Sequence, residues 1–177
     1  DVYKRQIVGE SGKVIAFEPN PESFKMLKKN IERNGYTNCI PENIALSDEE
    51  GFLKLFIGKY TDDSSSLFLA GEVDEKRSVM VKALTVDRYC ELHEIKPSFI
   101  KIDAEGAEYK ILKGMQCVLE HNPKLLIEVH PRHLERQGIS LHSPFDFLKE
   151  RDYEMQLVRA VSYTHLRAHE TVLDLVC

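Results

Sequence analysis

Short apolar runs alternate along the chain with stretches whose apolar residues recur at helical spacing. Each run is bounded by glycine, proline or a polar turn, which is typical of buried strands. The three clearest runs are Lys13–Phe17, Ser98–Ile102 and Lys124–Val129. Because they are largely apolar and helices follow them directly, we expect a parallel sheet with both faces covered.

Amphipathic stretches follow these runs. Asn20 can cap a helix that begins at Pro21 and ends near Gly35. A second helix is predicted to follow Asp103–Glu108 and to end at Asn122–Pro123. A third helix is predicted from Ser143 to about Arg151, and a final strand over Tyr153–Val158. Alternation of strands and helices predicts one α/β domain.

The middle of the chain, from Cys39 to Val86, is predicted to be richer in strands. The candidate strands are Ile44–Leu46, Phe52–Phe56 and Ser78–Val81. The polar stretch Thr61–Ser66 is typical of a surface loop, and Thr85 can cap a short helix that reaches Glu94.

Composition narrows the class of protein. The chain has 177 residues and a formal net charge of −5. Without a basic stripe we expect no nucleic-acid partner, and without a long apolar run we expect no membrane span. The four widely spaced cysteines indicate a reducing, cytoplasmic setting.

Both ends depart from this pattern. Asp1–Gln6 and Val161–His165 can be encoded by complementary strands of one DNA string, which resembles a transposon end used to prepare sequencing libraries. Leu166–Thr171 resembles the adjoining adaptor. We therefore expect residues 1–6 and 161–177 to be non-native, and residues 7–160 to be a partial domain.

An acidic residue ends the first predicted strand. Ionised Glu18 only accepts hydrogen bonds, which suits the two hydroxyl donors of a ribose, and open α/β sheets bind ligands along this edge. Alternatively, Glu18 compensates the amino end of the helix that starts near Asn20.

Three carboxylates cluster where the strand Ser98–Ile102 ends. They belong to Asp103, Glu105 and Glu108, and Gly106 between them permits a close backbone approach or an unusual dihedral angle. The cluster indicates either a site that binds a ligand or the solvated acidic start of a helix.

A histidine follows the strand Lys124–Val129 at the same edge. His130 can serve as a base for a hydroxyl or fill a structural role. With Asp103 and Glu105 it could also form an oxygen–nitrogen site for a divalent ion, although nothing demands a metal. Glu128, inside the strand, must be paired, protonated or at a site if it is buried. The histidines expected on the surface are His121, His133 and His142.

Four segments together resemble the FkbM methyltransferase family in order and spacing. They are Val14–Pro21, Ile44–Asp48, Ile100–Glu108 with Leu112–Gly114, and Ile127–Pro131. The Lys-Ile-Asp-x-Glu-Gly stretch is the most specific of these, and the resemblance covers about residues 7–158.

The resemblance implies a Rossmann-like class I methyltransferase fold, built on a mostly parallel sheet, that moves a methyl group from S-adenosylmethionine to a hydroxyl. The acceptor would be a small molecule or glycan, often a sugar or polyketide. Glu18 would hold the cofactor ribose, and Asn43 to Ala45 would lie along the adenine. Asp103, which also contacts the cofactor, and Glu105 would line the methyl-transfer end, where Asp103 and His130 are the leading candidates for the base.

The family's first strand, glycine-rich loop and first helix would precede Val8–Gly12 and are expected to be missing. Their loss would leave strand edges unpaired and remove cofactor-binding amides. The chain as written is therefore predicted neither to fold stably nor to methylate.

Two other classes of protein share parts of this pattern. A nicotinamide-dependent oxidoreductase also uses an acidic residue after its second strand, but it does not require the carboxylate cluster. A non-catalytic domain could keep the fold as a scaffold, and it would bind the cofactor without turnover.

Overall fold

The computed structural model describes residues 11–58, 73–159 and 173–176. Residues 1–6, the loop Thr61–Ser66 and most of the tail beyond residue 160 lie outside these ranges. The described strands are β1 Val14–Phe17, β2 Cys39–Glu42, β3 Ala45–Leu46, β4 Gly51–Gly58, β5 Val73–Leu84, β6 Phe99–Asp103, β7 Lys124–Val129, β8 Gln156–Arg159 and β9 Leu173–Val176. The described helices are α1 Pro21–Arg33, α2 Val86–His93, α3 Glu108–Lys113, α4 Gln116–Leu119, α5 Pro131–Arg136 and α6 Ser143–Lys149.

The first strand and helix confirm their sequence signals. The side chain of Asn20 accepts a hydrogen bond from the backbone N–H of Glu22, and Pro21 is the first residue of α1. Gly35 follows the helix at φ 63°, a conformation that glycine adopts without steric cost. The helix therefore begins and ends where its capping residues predict.

The strands form three sheets with the orders β1–β2, β3–β5–β4 and β6–β7–β9–β8. The pairs β1–β2, β3–β5 and β6–β7 are parallel, whereas β4–β5, β7–β9 and β8–β9 are antiparallel. Parallel pairing thus accounts for half of the described strand pairs, which corrects the expectation of a mostly parallel sheet. The antiparallel pairs have two sources: β4 and β5 form an antiparallel ribbon, and β9 runs back between β7 and β8.

Three elements were not predicted from the sequence: β2, α5, and β9 in the tail that was expected to be non-native. Strand β2 contains Pro41, which lacks a backbone donor and normally argues against a strand; here it lies on a strand with one paired neighbour in the described part of the chain. Helix α5 is only six residues long and begins at Pro131, where the sequence indicated only the end of β7.

The single helix predicted after β6 is divided into α3 and α4 at Gly114. A Cβ atom at Gly114 would overlap the carbonyl oxygen of Ser47, so the backbone of the β3 end packs directly on the break. The carboxylate of Asp87 accepts hydrogen bonds from the backbone N–H groups of Cys117 (3.0 Å) and Val118 (2.8 Å) and caps α4. A cap supplied by another helix is a tertiary contact, which local periodicity does not reveal.

The largest core cluster lies around β6 and β7. Its fully buried members include Leu112 and Met115 from the α3–α4 region, Leu125 from β7, Leu134 from α5 and Leu148 from α6. Burying a side chain of this size contributes about 1.5–3 kcal/mol, so this cluster anchors the carboxyl ends of both strands. A bilayer crossing needs a helix longer and more apolar than any in the described part of the chain.

Candidate active site

The carboxyl ends of β6 and β7 bring two carboxylates side by side. Asp103 and Glu128 are register partners across the parallel pair. The Nζ atom of Lys101 lies 2.9 Å from Oδ2 of Asp103 and 4.0 Å from Oε2 of Glu128. Lys101 and Asp103 therefore share a face of the sheet, and the half-buried Glu128 has a cation nearby.

The loop after β6 has an unusual backbone. Glu105 has φ 46° and Gly106 has φ 97°, both in the region that side chains disfavour. A Cβ atom at Gly106 would lie 2.5 Å from Cβ of His133 and 3.1 Å from Nε2 of Gln137. Gly106 is needed both for its conformation and for the close approach of α5.

Helix α5 and the residue after it hold this loop through hydrogen bonds. Nδ1 of His133 lies 2.7 Å from the carbonyl oxygen of Glu105, and Nε2 of Gln137 donates to the carbonyl oxygen of Gly106 at 2.8 Å. Backbone groups in left-handed conformations are thus fixed by side chains from another element. These hydrogen bonds fix the backbone of Glu105 and therefore the position from which its side chain extends.

Glu108 and His130 form the most buried polar contact of the site. Oε1 of Glu108 lies 2.7 Å from Nδ1 of His130 and accepts the backbone N–H of Gly106 at 2.9 Å. The side chain of Glu108 is 0 % exposed and that of His130 is 17 % exposed. The opposite ring nitrogen, Nε2, lies 3.7 Å from Oε2 of Glu105. His130 is held on one side and faces the loop carboxylate on the other.

The charge state of His130 follows from these neighbours. Burial favours the neutral imidazole, but the hydrogen bond and charge of Glu108, with the charges of Glu105 and Asp103, outweigh it and raise the pKa of His130 to about 9. Without a further cation the ring is protonated at neutral pH. A positively charged ligand beside it would favour the neutral form that can accept a proton.

Three groups lie close enough to share a metal ion. Ligand atoms of Asp103, Glu128 and His130 lie within 4.8 Å of one another, so Glu128 stands here in place of the Glu105 considered from the sequence. The ammonium of Lys101 already contacts Asp103 in this group. Since an internal cation neutralises the carboxylates, the geometry alone does not identify them as metal ligands.

Glu18 and Asn43 meet at the carboxyl ends of β1 and β2. Oε1 of Glu18 accepts the backbone N–H of Asn20 at 2.8 Å, which is the helix-start contact considered as its alternative role. The side-chain amide of Asn43 donates to the carbonyl oxygens of Glu18 (2.8 Å) and Pro19 (3.1 Å). The methyl group of Ala45 is buried in the core of the second sheet, so only its backbone could line a ligand.

The predicted residues thus fall into two groups. Asp103, Glu105 and His130 come together at the end of the third sheet, whereas Glu18 and Asn43 come together at the first sheet. His121 and His142 are exposed as expected, but the surface placement of His133 was wrong because α5 packs it on the loop.

Sequence reasoning also passed over Gln137 and did not select Glu108 as a site residue. The sequence did contain a signal for Gln137, because His130, His133 and Gln137 follow the spacing of one helical face. Glu108 was noted only as a member of the carboxylate cluster, and its contact with His130 is recognisable only in the folded structure.

Comparisons with known proteins agree with this fold. The hexuronic acid methyltransferase AglP of Haloferax volcanii is 32 % identical over 127 residues, which is 70 % of this chain and 50 % of that protein. Methyltransferase 1 of Beauveria bassiana is 22 % identical over 120 residues, covering 58 % of this chain and 48 % of that protein. The chain therefore spans about half the length of these curated relatives.

A solved structure gives the same result for the fold. The methyltransferase FkbM from Methylobacillus flagellatus KT superposes with a TM-score of 0.61 at 19 % identity, over 93 % of this chain and 36 % of that one. The family model described as the methyltransferase FkbM domain matches residues 1–155. Since that match covers most of the chain, the protein belongs to the FkbM methyltransferase family.

Proposed function

We propose that this domain serves an S-adenosylmethionine-dependent O-methyltransferase whose acceptor is a hydroxyl group of a sugar or glycan. The family is one of methyltransferases, which favours this function over a nicotinamide-dependent oxidoreductase. The observation that carries the proposal is the convergence of Asp103, Glu105 and His130 at the ends of β6 and β7. These groups offer a proton acceptor next to a concentration of negative charge.

The residues present fit the cofactor at two places. Glu18 is a half-buried carboxylate at a strand end, and the two oxygens of a carboxylate can accept hydrogen bonds from the two hydroxyl groups of a ribose. The carboxylates of Asp103 and Glu105 suit a cationic sulfonium group. The cofactor would supply an electrophilic methyl group when bound.

The chain's own residues then orient the acceptor and move its proton. With a cation bound nearby, His130 loses its proton more readily and presents a lone pair at Nε2. Nε2 of His130 would accept the hydroxyl proton of the acceptor as its oxygen becomes methylated. Asp103 is the alternative base, but its carboxylate is already engaged in an ion pair with Lys101.

One relative supports the choice of acceptor class. The Haloferax volcanii relative is described as a hexuronic acid methyltransferase. We therefore propose glycans that contain hexuronic acids as the first acceptors to test, and neutral glycans as the comparison. The ammonium group of Lys101 can donate hydrogen bonds to hydroxyl or carboxylate oxygens of such a sugar.

The test uses the protein expressed from its complete gene, with S-adenosylmethionine carrying a labelled methyl group. Label in a glycan ether, located by tandem mass spectrometry and stable to mild alkali, is the expected result. An alkali-labile ester would show that the acceptor is a carboxylate instead of a hydroxyl. Cofactor binding without transfer to any of these glycans would favour the non-catalytic scaffold.

A further inference from the structure

We propose that Glu108 is a positioning residue that holds His130 with Nδ1 protonated and Nε2 turned towards the acceptor. This inference rests on the methyl-transfer function proposed above. It goes beyond the cluster of acidic residues, because Glu108 does not face the same space as Asp103 and Glu105: its side chain is closed off from solvent.

The first support is the geometry of the carboxylate. Oε1 of Glu108 receives the backbone N–H of Gly106 at 2.9 Å and lies 2.7 Å from Nδ1 of His130. The first contact fixes the carboxylate to a loop that α5 already clamps. The second is short enough for a charge-assisted hydrogen bond, which makes an ionised Glu108 impose a proton on Nδ1.

The second support is an unsatisfied atom. Oε2 of Glu108 is buried, and no group among the described residues forms a hydrogen bond with it. A buried carboxylate with an unpartnered oxygen destabilises the folded state, and an apolar residue of similar size would pack at lower cost. A carboxylate at this place is therefore better explained by its effect on His130 than by packing.

The chemical consequence concerns both states of the imidazole. When the ring is neutral, a proton on Nδ1 leaves the lone pair on Nε2, the nitrogen that faces Glu105. When Nε2 has taken the acceptor's hydroxyl proton, the negative charge of Glu108 stabilises the imidazolium. Glu108 thus acts on the reaction only through His130.

The experiment compares Glu108→Gln, His130→Gln and the double variant with wild type. Gln keeps the size and the acceptor for Gly106 but removes the charge. We expect Glu108→Gln to lower kcat on the order of 100-fold in wild type and by less than about twofold in the His130→Gln background. The acid limb of its kcat/KM profile should move down by roughly 1–2 pH units. Equal losses in both backgrounds, or an unmoved limb, would refute the positioning role.

The control is Glu135→Gln on α5, which makes the same change of charge at an exposed residue near the site. It should leave kcat within about twofold of wild type. If it lowers kcat as Glu108→Gln does, a general electrostatic effect explains the loss and the positioning role is refuted.

A readout without substrate separates this inference from the proposed function. Nitrogen-15 NMR of His130 in the wild-type protein should show the Nδ1-protonated tautomer above the midpoint of its titration. That spectrum tests the positioning role of Glu108 even if the Glu108→Gln variant fails to fold. An Nε2-protonated tautomer refutes the positioning role whether or not the protein transfers methyl groups, and failed transfer with the expected tautomer refutes only the proposed function.

Discussion

The two strand-end regions that carry acidic residues differ in how those residues are held. At the β1–β2 end, Glu18 is half-buried and accepts the backbone N–H of Asn20, and Asn43 is exposed. At the β6–β7 end, Glu108 is fully buried, Gly106 is in a left-handed conformation and a helix packs on the loop. A region that only binds a ligand tolerates some variation in side-chain position, whereas proton transfer needs a fixed geometry.

The largest expected effect is the loss of the base at the β6–β7 end. His130→Gln should lower kcat on the order of 10²- to 10⁴-fold, because Gln cannot accept the acceptor proton at neutral pH. Steady-state methyl transfer measures it. The control is His121→Gln, an exposed histidine, which should retain wild-type kcat. If the His130→Gln variant retained more than a tenth of wild-type kcat, the result would indicate that Asp103 is the base instead of His130.

The clamped loop predicts a large effect on stability. Gly106→Ala should lower the free energy of unfolding by about 3 kcal/mol, since the new Cβ meets α5 and the backbone is strained. Urea denaturation compares it with Gly35→Ala and Gly138→Ala, which share a positive φ but have no atom within 4 Å of the added Cβ. Those two should cost about 1 kcal/mol each. Similar losses for all three would show that α5 does not clamp the loop.

The raised pKa of His130 predicts the pH dependence of the reaction. With a pKa of about 9 the free protein holds the imidazole protonated at neutral pH, so kcat/KM should rise with pH and level off above about 9. The base form makes up about one molecule in a hundred at pH 7, so kcat/KM should rise about a hundredfold between pH 7 and the plateau. A rate that is level from pH 6 to 9 would contradict His130 as the base.

The smallest expected effect lies at the β1–β2 end. Glu18→Gln should raise the dissociation constant of S-adenosylmethionine about tenfold and leave kcat within a factor of two or so, because ribose binding contributes before and during the reaction. Calorimetric titration measures the first value. Glu22→Gln, on the first turn of α1 with an exposed side chain, is the matched control. If Glu18→Gln lowered kcat without changing the affinity for S-adenosylmethionine, the two strand-end regions would not differ in role as proposed.

Local signals in the sequence determined much of the fold. Asn20, Pro21 and Gly35 set the bounds of α1, and the apolar run Lys124–Val129 has the same bounds as β7. Capping residues and apolar periodicity act over a few residues, so they can be recognised in the sequence without knowledge of the rest of the chain. The motif around Asp103–Glu108 likewise indicated the family and the strand end where carboxylates gather.

Only the tertiary structure decided which of those residues work together. The break at Gly114 depends on Ser47, and the cap of α4 comes from Asp87, both distant in sequence. The buried pair of Glu108 and His130 is separated by 22 positions along the chain. Sequence specifies residue chemistry and local conformation, whereas distances, burial and the resulting pKa depend on how the elements pack around β6 and β7.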